Sequence, residues 1–208
     1  MPREEQVLVI ERKVLEQVGM FQGLTFDVAR YLRRFFIQGV PRFMPRSQVE
    51  ENPAYKQLIP YVLISYEGRY LSYIRGRRAG EARLVGNRSI GIGGHINPAD
   101  DMPLFNTDFY ETYLTAVERE VAEEVSVETT HTNRVVALLN DESNEVGSVH
   151  LGIVHHWILD APKVSKREQM LTQMAFMTPA ELHEVRDTLE TWSGLCLTRL
   201  AEMTKSLS

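Results

Sequence analysis

The chain has 208 residues, 43% hydrophobic and 25% charged, with a net charge of −5. This is the composition of a globular chain long enough to bury a sizeable core, and the acidic balance argues against a general nucleic-acid binder, which needs a basic footprint. A single cysteine, Cys196, rules out an internal disulfide and suits a reducing compartment, with a small core residue as its simplest role. A charged start at Met1-Pro2-Arg3-Glu4-Glu5 and the lack of any apolar run of about eighteen residues point to a cytoplasmic protein without a membrane span.

In chain order, Gln6 to Ile10 is a short apolar run suited to a strand, and Glu11 to Val18 either continues it or turns into a helix. Phe26 to Gln38 reads as a helix, with Val28, Tyr31, Leu32, Phe35 and Phe36 on one side. Pro41 and Pro45 then break the pattern, so Gly39 to Tyr55 is expected to be an irregular connector carrying Arg42 and Arg46. Ile59 to Tyr66 and Arg69 to Arg75, separated by Glu67-Gly68, read as a β-hairpin. Gly76 to Asn87 is loop-like. With its flanks it carries Arg75, Arg77, Arg78, Arg83 and Arg88, guanidiniums of the type that grip phosphates through paired hydrogen bonds. We assign Arg75 and Arg88 to a substrate.

Gly91-Ile92-Gly93-Gly94-His95-Ile96 is a β-branched strand ending in a glycine pair. Gly93 and Gly94 allow close backbone approach, suited to bringing a carbonyl or an amide to a metal or a phosphate. Asn97 to Thr107 is expected to be a loop, and Asp108 with Glu111 three residues later gives a variant capping box at the start of a helix. In that helix Tyr110, Leu114, Val117, Val121 and Val125 share an apolar arc. Beside it, Glu120, Glu123 and Glu124 fall within about 100° of one another. Crowded carboxylates repel unless a cation joins them, and all-oxygen donors suit Mg²⁺ or Mn²⁺.

Asn133 to Leu139 and Val149 to Leu159 are β-rich runs joined by a polar turn segment, Asn140 to Gly147. His150, His155 and His156 lack a recognised ligand spacing and read as strand surface or substrate contacts. Ala161 to Gln169 is a charged connector, in which Glu168 offers a further carboxylate or base. Met170 to Met177 reads as the last strand. Thr178-Pro179-Ala180-Glu181 starts a helix, whose pattern continues to Met203 through Leu182, Val185, Leu189, Trp192, Cys196 and Leu200.

Gly94, Glu111 and Arg119-Glu120-Val121-Ala122-Glu123-Glu124, with Val127 beyond, resemble the signature of the Nudix hydrolase superfamily: Gly, five residues, Glu, seven residues, Arg-Glu, an aliphatic, any residue, Glu-Glu, any residue, Gly, an aliphatic. Phe105 stands at the regular position of the first Gly, so Gly94 fills that role only with about eleven residues inserted, and Ser126 replaces the last Gly. The resemblance covers Tyr61 to Leu182 more loosely. It implies an α+β fold, an α/β/α sandwich with a mixed sheet, divided here into residues 1–57 as an N-terminal extension and 58–208 as the Nudix domain. The implied chemistry is hydrolysis of a nucleoside diphosphate linked to another moiety, by water attack at phosphorus. Glu120, Glu123, Glu124 and Gly94 would hold Mg²⁺ or Mn²⁺, one carboxylate would serve as base, and Arg119 would orient Glu123. Arg75, Arg88 and Gly93 would meet a small phosphorylated substrate, with Glu111 and Glu168 as secondary candidates. The alternative is a nucleotide-binding or regulatory module without turnover. A homodimer is compatible with either.

Overall fold

The apolar run near the start becomes strand β1 (Gln6–Glu11), and the chain then turns straight into helix α1 (Arg12–Val18), which buries Val14, Leu15 and Val18. The structure is a computed structural model that describes residues 4–76, 86–100, 108–167 and 171–205. A three-residue strand, β2 (Gly23–Thr25), leads to α2 (Val28–Phe35), which ends one residue after Arg34 and buries Tyr31 and Phe35. The segment expected to be an irregular connector is ordered: β3 (Arg42–Pro45) pairs with β1 and is followed by one helical turn, α3 (Arg46–Val49). Pro45 sits at the last strand position and caps that turn, so the prolines punctuate the segment without preventing pairing.

β4 (Tyr55–Tyr66) is buried along nearly its whole length and joins β5 (Arg69–Arg75) through Glu67 and Gly68. Both turn residues have positive φ, 46° and 74°, as a two-residue turn of the type that matches strand twist requires. Next come β6 (Arg88–Ser89), β7 (Gly91–Gly93), a 3₁₀ turn at Pro98–Asp100 and α4 (Phe109–Glu124). The chain continues through β8 (Val125–Val127), β9 (His131–Asn140), α5 (Glu145–Val149), β10 (His150–Leu159), β11 (Val164–Lys166) and β12 (Leu171–Met177). The C-terminal pattern is not one helix. It divides into α6 (Pro179–Glu184), a 3₁₀ turn at Arg186–Thr188, α7 (Thr191–Thr198) and α8 (Leu200–Lys205). Thr178 and Glu181 form the expected capping box, with Pro179 in the first turn. The interruption falls where the Glu190 N–H donates to the Arg88 carbonyl and Leu189 bridges Arg88, so a backbone bond to β6 replaces helix continuation.

Among the described residues, ten strands make one sheet with the path β12-β5-β4-β10-β9-β2, and β8 pairs separately with β11. The fold is α+β, a mixed sheet with helices on both sides. No helix among the described residues is long and apolar enough to cross a membrane.

Packing divides the chain into two compact units. The first comprises Met1–Pro60, Gly93–Arg119 and Ala137–Val154. Its β1 lies between β3 and β4, and Val7, Val9 and Val49 form an apolar cluster with Met44 and Tyr55. Phe36 packs on both Tyr110 and Tyr113, which couples the end of α2 to the first turns of α4. Lys56 is fully buried yet satisfied: its Nζ donates to Glu142 Oε1 at 2.6 Å and the Gly147 carbonyl at 3.0 Å. A buried ammonium needs such partners, because an unpaired one is strongly disfavoured.

The second unit comprises Tyr61–Ile92, Glu120–Val136 and His155–Ser208. β5 is its centre, flanked by β12 (Leu71↔Phe176), β6 (Ile74↔Arg88) and the end of β4 (Ser65↔Tyr70). Gly91 is fixed by close approach: a Cβ there would lie 2.2 Å from the Tyr61 ring. Cys196 is buried, and burial pushes its thiol well above the ordinary range, consistent with a packing role.

Candidate active site

Helix α4 starts where Asp108 turns its side chain back to accept the Tyr110 N–H at 2.9 Å. This is the N-cap read from the sequence. The helix buries Thr112, Tyr113, Ala116, Val117 and Val121, whereas Tyr110 is exposed and Leu114 only half-buried. The inward stripe is therefore rotated from the expected arc and centred near Tyr113. At about 100° per residue, Glu120 and Glu124 lie within about 20° of Tyr113, inside the buried arc and not beside it. Both are half-buried, while Glu123 at the margin is exposed. Glu111 is exposed and, by the same count, about 180° round the helix from Glu120.

The helix ends at Glu124 and the chain passes directly into β8, where Ser126 pairs with Ser165. Among the described residues, the non-glycine positions of positive φ are Glu67 and Gln173. Ser126 is therefore not left-handed, and the helix ends in a different way from the glycine of the signature. Its carbonyls are met by Arg167 instead. The Arg167 N–H donates to the Glu124 carbonyl at 3.0 Å and Arg167 Nη1 to the Ala122 carbonyl at 2.9 Å.

Arg119 forms a two-pronged pair with Asp100, Nε to Oδ1 at 2.6 Å and Nη2 to Oδ2 at 3.0 Å, and also donates to the His95 carbonyl at 2.8 Å. Asp100 is almost fully buried and accepts the Asn97 N–H as well. Arg119 thus ties the middle of α4 to the segment that follows Gly93 and Gly94, a partner the expectation of an Arg119–Glu123 pair did not include. The start of the inserted segment is anchored to the helix through this fork. Neither glycine of the pair is among the positive-φ positions, so a left-handed backbone is not the reason for glycine there.

The second unit holds a buried polar network around Glu190. Glu190 accepts from Tyr61 Oη at 3.1 Å and pairs with Arg75 Nε at 3.3 Å, while Ser193 Oγ lies 2.7 Å from Tyr61 Oη. Tyr73 donates to the Gly91 carbonyl at 2.7 Å, and Arg75 lies over the Tyr73 ring. Burial disfavours the charge of Arg75, but Tyr73, Glu190, Tyr61 and Glu124 together hold the guanidinium above its ordinary pKa. Glu124 and Glu190 therefore act on the same buried cation. Arg88 is engaged by Ser72 Oγ at 3.1 Å and Gln173 Oε1 at 3.3 Å, holding β5 and β12 as much as facing a ligand.

His155 and His156 are buried and not strand surface. His155 Nδ1 lies 2.7 Å from Asn133 Oδ1, and His156 Nε2 lies 2.7 Å from Ser65 Oγ with its ring stacked on Tyr70. Burial lowers the pKa of each to about 4, keeping both neutral. His150, also buried, opens β10. Glu168, Arg77, Arg78 and Arg83 lie outside the described residues. Glu190, Asp100 and Arg167 were missed from the sequence. Glu190 sat inside what read as a continuous helix, and Asp100 and Arg167 sat in segments read as connectors. The Asn97-to-Asp100 spacing, which suits a local side-chain turn, was the one available signal.

The all-oxygen donors of α4, two on its inward stripe and one at its margin, fit a hard divalent ion such as Mg²⁺ or Mn²⁺. No protein-family model matches the sequence. The chain is 31% identical over 198 residues to Protein YmaB of Bacillus subtilis (strain 168), covering 91% of this chain and 94% of that protein. The crystal structure of Tm1382, a protein assigned to the Nudix hydrolases, is similar with a TM-score of 0.76 at 29% identity, covering 94% of this chain and 98% of that one. The Nudix domain of Shewanella oneidensis NrtR, solved with ADP ribose, shares the fold with a TM-score of 0.52 at 12% identity, over 74% of this chain and 89% of that one. A mixed sheet between helices, with Arg-Glu-x-x-Glu-Glu on one of them, defines the class as Nudix-fold proteins. The chain belongs to the Nudix hydrolase superfamily.

Proposed function

We propose that this chain hydrolyses a nucleoside diphosphate linked to another moiety, cleaving the pyrophosphate by water attack at phosphorus. The observation that carries the reading is the place of Glu120 and Glu124. A helix built for packing alone would put apolar side chains at the centre of its inward stripe, and here two carboxylates occupy it. Glu120, Glu123 and Glu124 are the residues that would hold Mg²⁺ or Mn²⁺. Such an ion, when bound, neutralises charge on the phosphate oxygens and activates water.

The chain's own groups supply the rest. One of the α4 carboxylates takes the proton from the attacking water. Arg75, held charged by Glu190 and by Glu124, offers a cation to the phosphates, and Arg88 contributes through the donors its structural partners leave. Arg119 acts through Asp100 and the His95 carbonyl, fixing the backbone next to the glycine pair. Glu111, on the far side of α4, has no part in this chemistry, and Glu168 stays a secondary candidate. The net charge of −5 accords with a small phosphorylated substrate and no nucleic-acid partner. The competing reading, a nucleotide-binding module without turnover, gives no reason to keep all three box carboxylates.

The test is a panel of nucleoside diphosphate derivatives, ADP-ribose among them, incubated with Mg²⁺ or Mn²⁺ and followed by release of the two phosphorylated products. Turnover with metal and none in EDTA is the expected result. Binding of ADP-ribose without turnover under any metal would favour the module, and turnover undiminished by EDTA would overturn the assignment of the carboxylates.

A further inference from the structure

Three segments of the first unit, far apart in sequence, bring Glu50, His95 and His150 together so that one ligand atom of each lies within 4.8 Å of the others. Glu50 follows α3, His95 follows the glycine pair, and His150 is the first residue of β10. The two imidazoles face each other through their Nε2 atoms, 3.4 Å apart. Their other nitrogens look outward at acceptors. His150 Nδ1 lies 2.7 Å from the Val146 carbonyl, which can only accept, so the proton of that ring is on Nδ1. His95 Nδ1 faces the Glu5 carboxylate at 3.6 Å, beyond hydrogen-bond distance.

The His150 Nε2 lone pair therefore faces His95 Nε2, and a cation between the two nitrogens would take the place of the proton that His95 can otherwise offer there. Ligand nitrogens at the ordinary metal–N distance of about 2.0–2.1 Å, arranged tetrahedrally, are about 3.3–3.4 Å apart, as these are. The carbonyl on His150 is the outward partner that metal-binding histidines use to fix the tautomer and aim Nε2, and the Glu5 carboxylate stands near the outward nitrogen of His95. Arg46 orients both acidic residues, donating to Glu50 Oε2 at 2.9 Å and Glu5 Oε2 at 3.0 Å. One guanidinium against two carboxylates leaves a formal charge of −1, to which a divalent cation is complementary.

We propose that Glu50, His95 and His150 form a site for a borderline divalent transition ion of the Zn²⁺ class, held by two imidazoles and one carboxylate with a fourth position open to water. The donor set selects against Mg²⁺, which prefers all-oxygen ligands, and in favour of ions that accept imidazole. None of the α4 carboxylates belongs to it, so it stands independently of the hydrolytic reading. Since its ligands come from three distant segments, the site exists only in the folded chain, and binding therefore raises stability.

The test uses the full chain, stripped of metal, dialysed against Zn²⁺ or Co²⁺ with Mg²⁺ in large excess to occupy oxygen-ligand sites. One Zn²⁺ per chain should be retained, Co²⁺ should give the intense visible absorption of a four-coordinate site with two imidazoles, and Zn²⁺ should raise the thermal midpoint. His95→Gln and His150→Gln should each weaken binding by about 100-fold or more, and Glu5→Gln, which only orients His95, by about 10-fold. Glu50→Gln guards against a histidine variant that fails to fold, and it should lose the Co²⁺ spectrum with unchanged circular dichroism. Glu120→Gln/Glu124→Gln should keep the bound Zn²⁺. No Zn²⁺ retained in the presence of Mg²⁺, or a stoichiometry that survives both histidine substitutions, would overturn the proposal.

Discussion

The carboxylates of α4 and the Glu50–His95–His150 group are both gatherings of ligand atoms, assembled by different means. On α4 the donors are all oxygen and sit on a single helix three or four residues apart, so their convergence follows from helix geometry alone. In the other group nitrogen outnumbers oxygen and three separate segments must fold together before the donors meet. The first arrangement suits a hard ion that exchanges during turnover, and the second a borderline ion whose binding is linked to folding. Ligand chemistry and sequence separation together would distinguish the proposed hydrolytic site from the proposed structural one.

The largest effect expected from this contrast is on catalysis. Glu124→Gln and Glu120→Gln should lower kcat by about 10² or more, since each removes a charge from the inward stripe where phosphate charge develops. Glu111→Gln, on the opposite side of α4, should change kcat by less than about twofold. Steady-state kinetics on the three variants measures this, and a loss in Glu111→Gln equal to that in Glu124→Gln would break the argument from the helix arc.

A second, smaller effect separates histidines kept for ligation from histidines kept for packing. His156 is buried with Nε2 at Ser65 and with no partner for Nδ1 among the described residues, and burial lowers its pKa to about 4 from the ordinary 6.5. The unfolded chain therefore binds a proton that the folded chain refuses, so its contribution is complete above about pH 6.5 and is lost as pH falls towards 4. The loss is on the order of 3 kcal/mol by linkage. Urea midpoints at pH 7 and pH 4.5 should show the drop, and His156→Gln should reduce it; an undiminished pH dependence in the variant would remove His156 as its source.

Legibility in the sequence followed the same division between local and distant. The hairpin at Glu67-Gly68, the Asp108 cap and the Thr178 capping box depend on neighbours within a few residues, and each was readable. Glu120 and Glu124 were readable as a pair because one helix carries both. Their burial was not, because it depends on which face of α4 Phe36 and the rest of the fold cover. β3 was hidden by Pro41 and Pro45, since its existence rests on pairing with β1, as in Gln6↔Pro45 and Val9↔Arg42, far away in the chain. The break between α6 and α7 was equally hidden: an unbroken helical periodicity lost to a backbone bond between Glu190 and Arg88. His150 offered no spacing rule because its partners, Glu50 and His95, belong to other segments.

The smallest effect concerns the end of α4, where the chain departs from its superfamily's pattern. A glycine at this position commonly lets the last residue turn left-handed and satisfy the final carbonyls. Ser126 instead continues into β8, paired with Ser165, and Arg167 supplies the donors to the Ala122 and Glu124 carbonyls. With the carbonyls met from outside, left-handed freedom at residue 126 has nothing to contribute. Glycine there only adds conformational entropy to the unfolded chain and weakens a strand. Ser126→Gly should therefore lower stability by about 0.5–1 kcal/mol, read as a lower urea midpoint at unchanged slope. A rise in the midpoint would mean that the backbone at residue 126 adopts the left-handed geometry after all and that Arg167 does not cap the helix in solution.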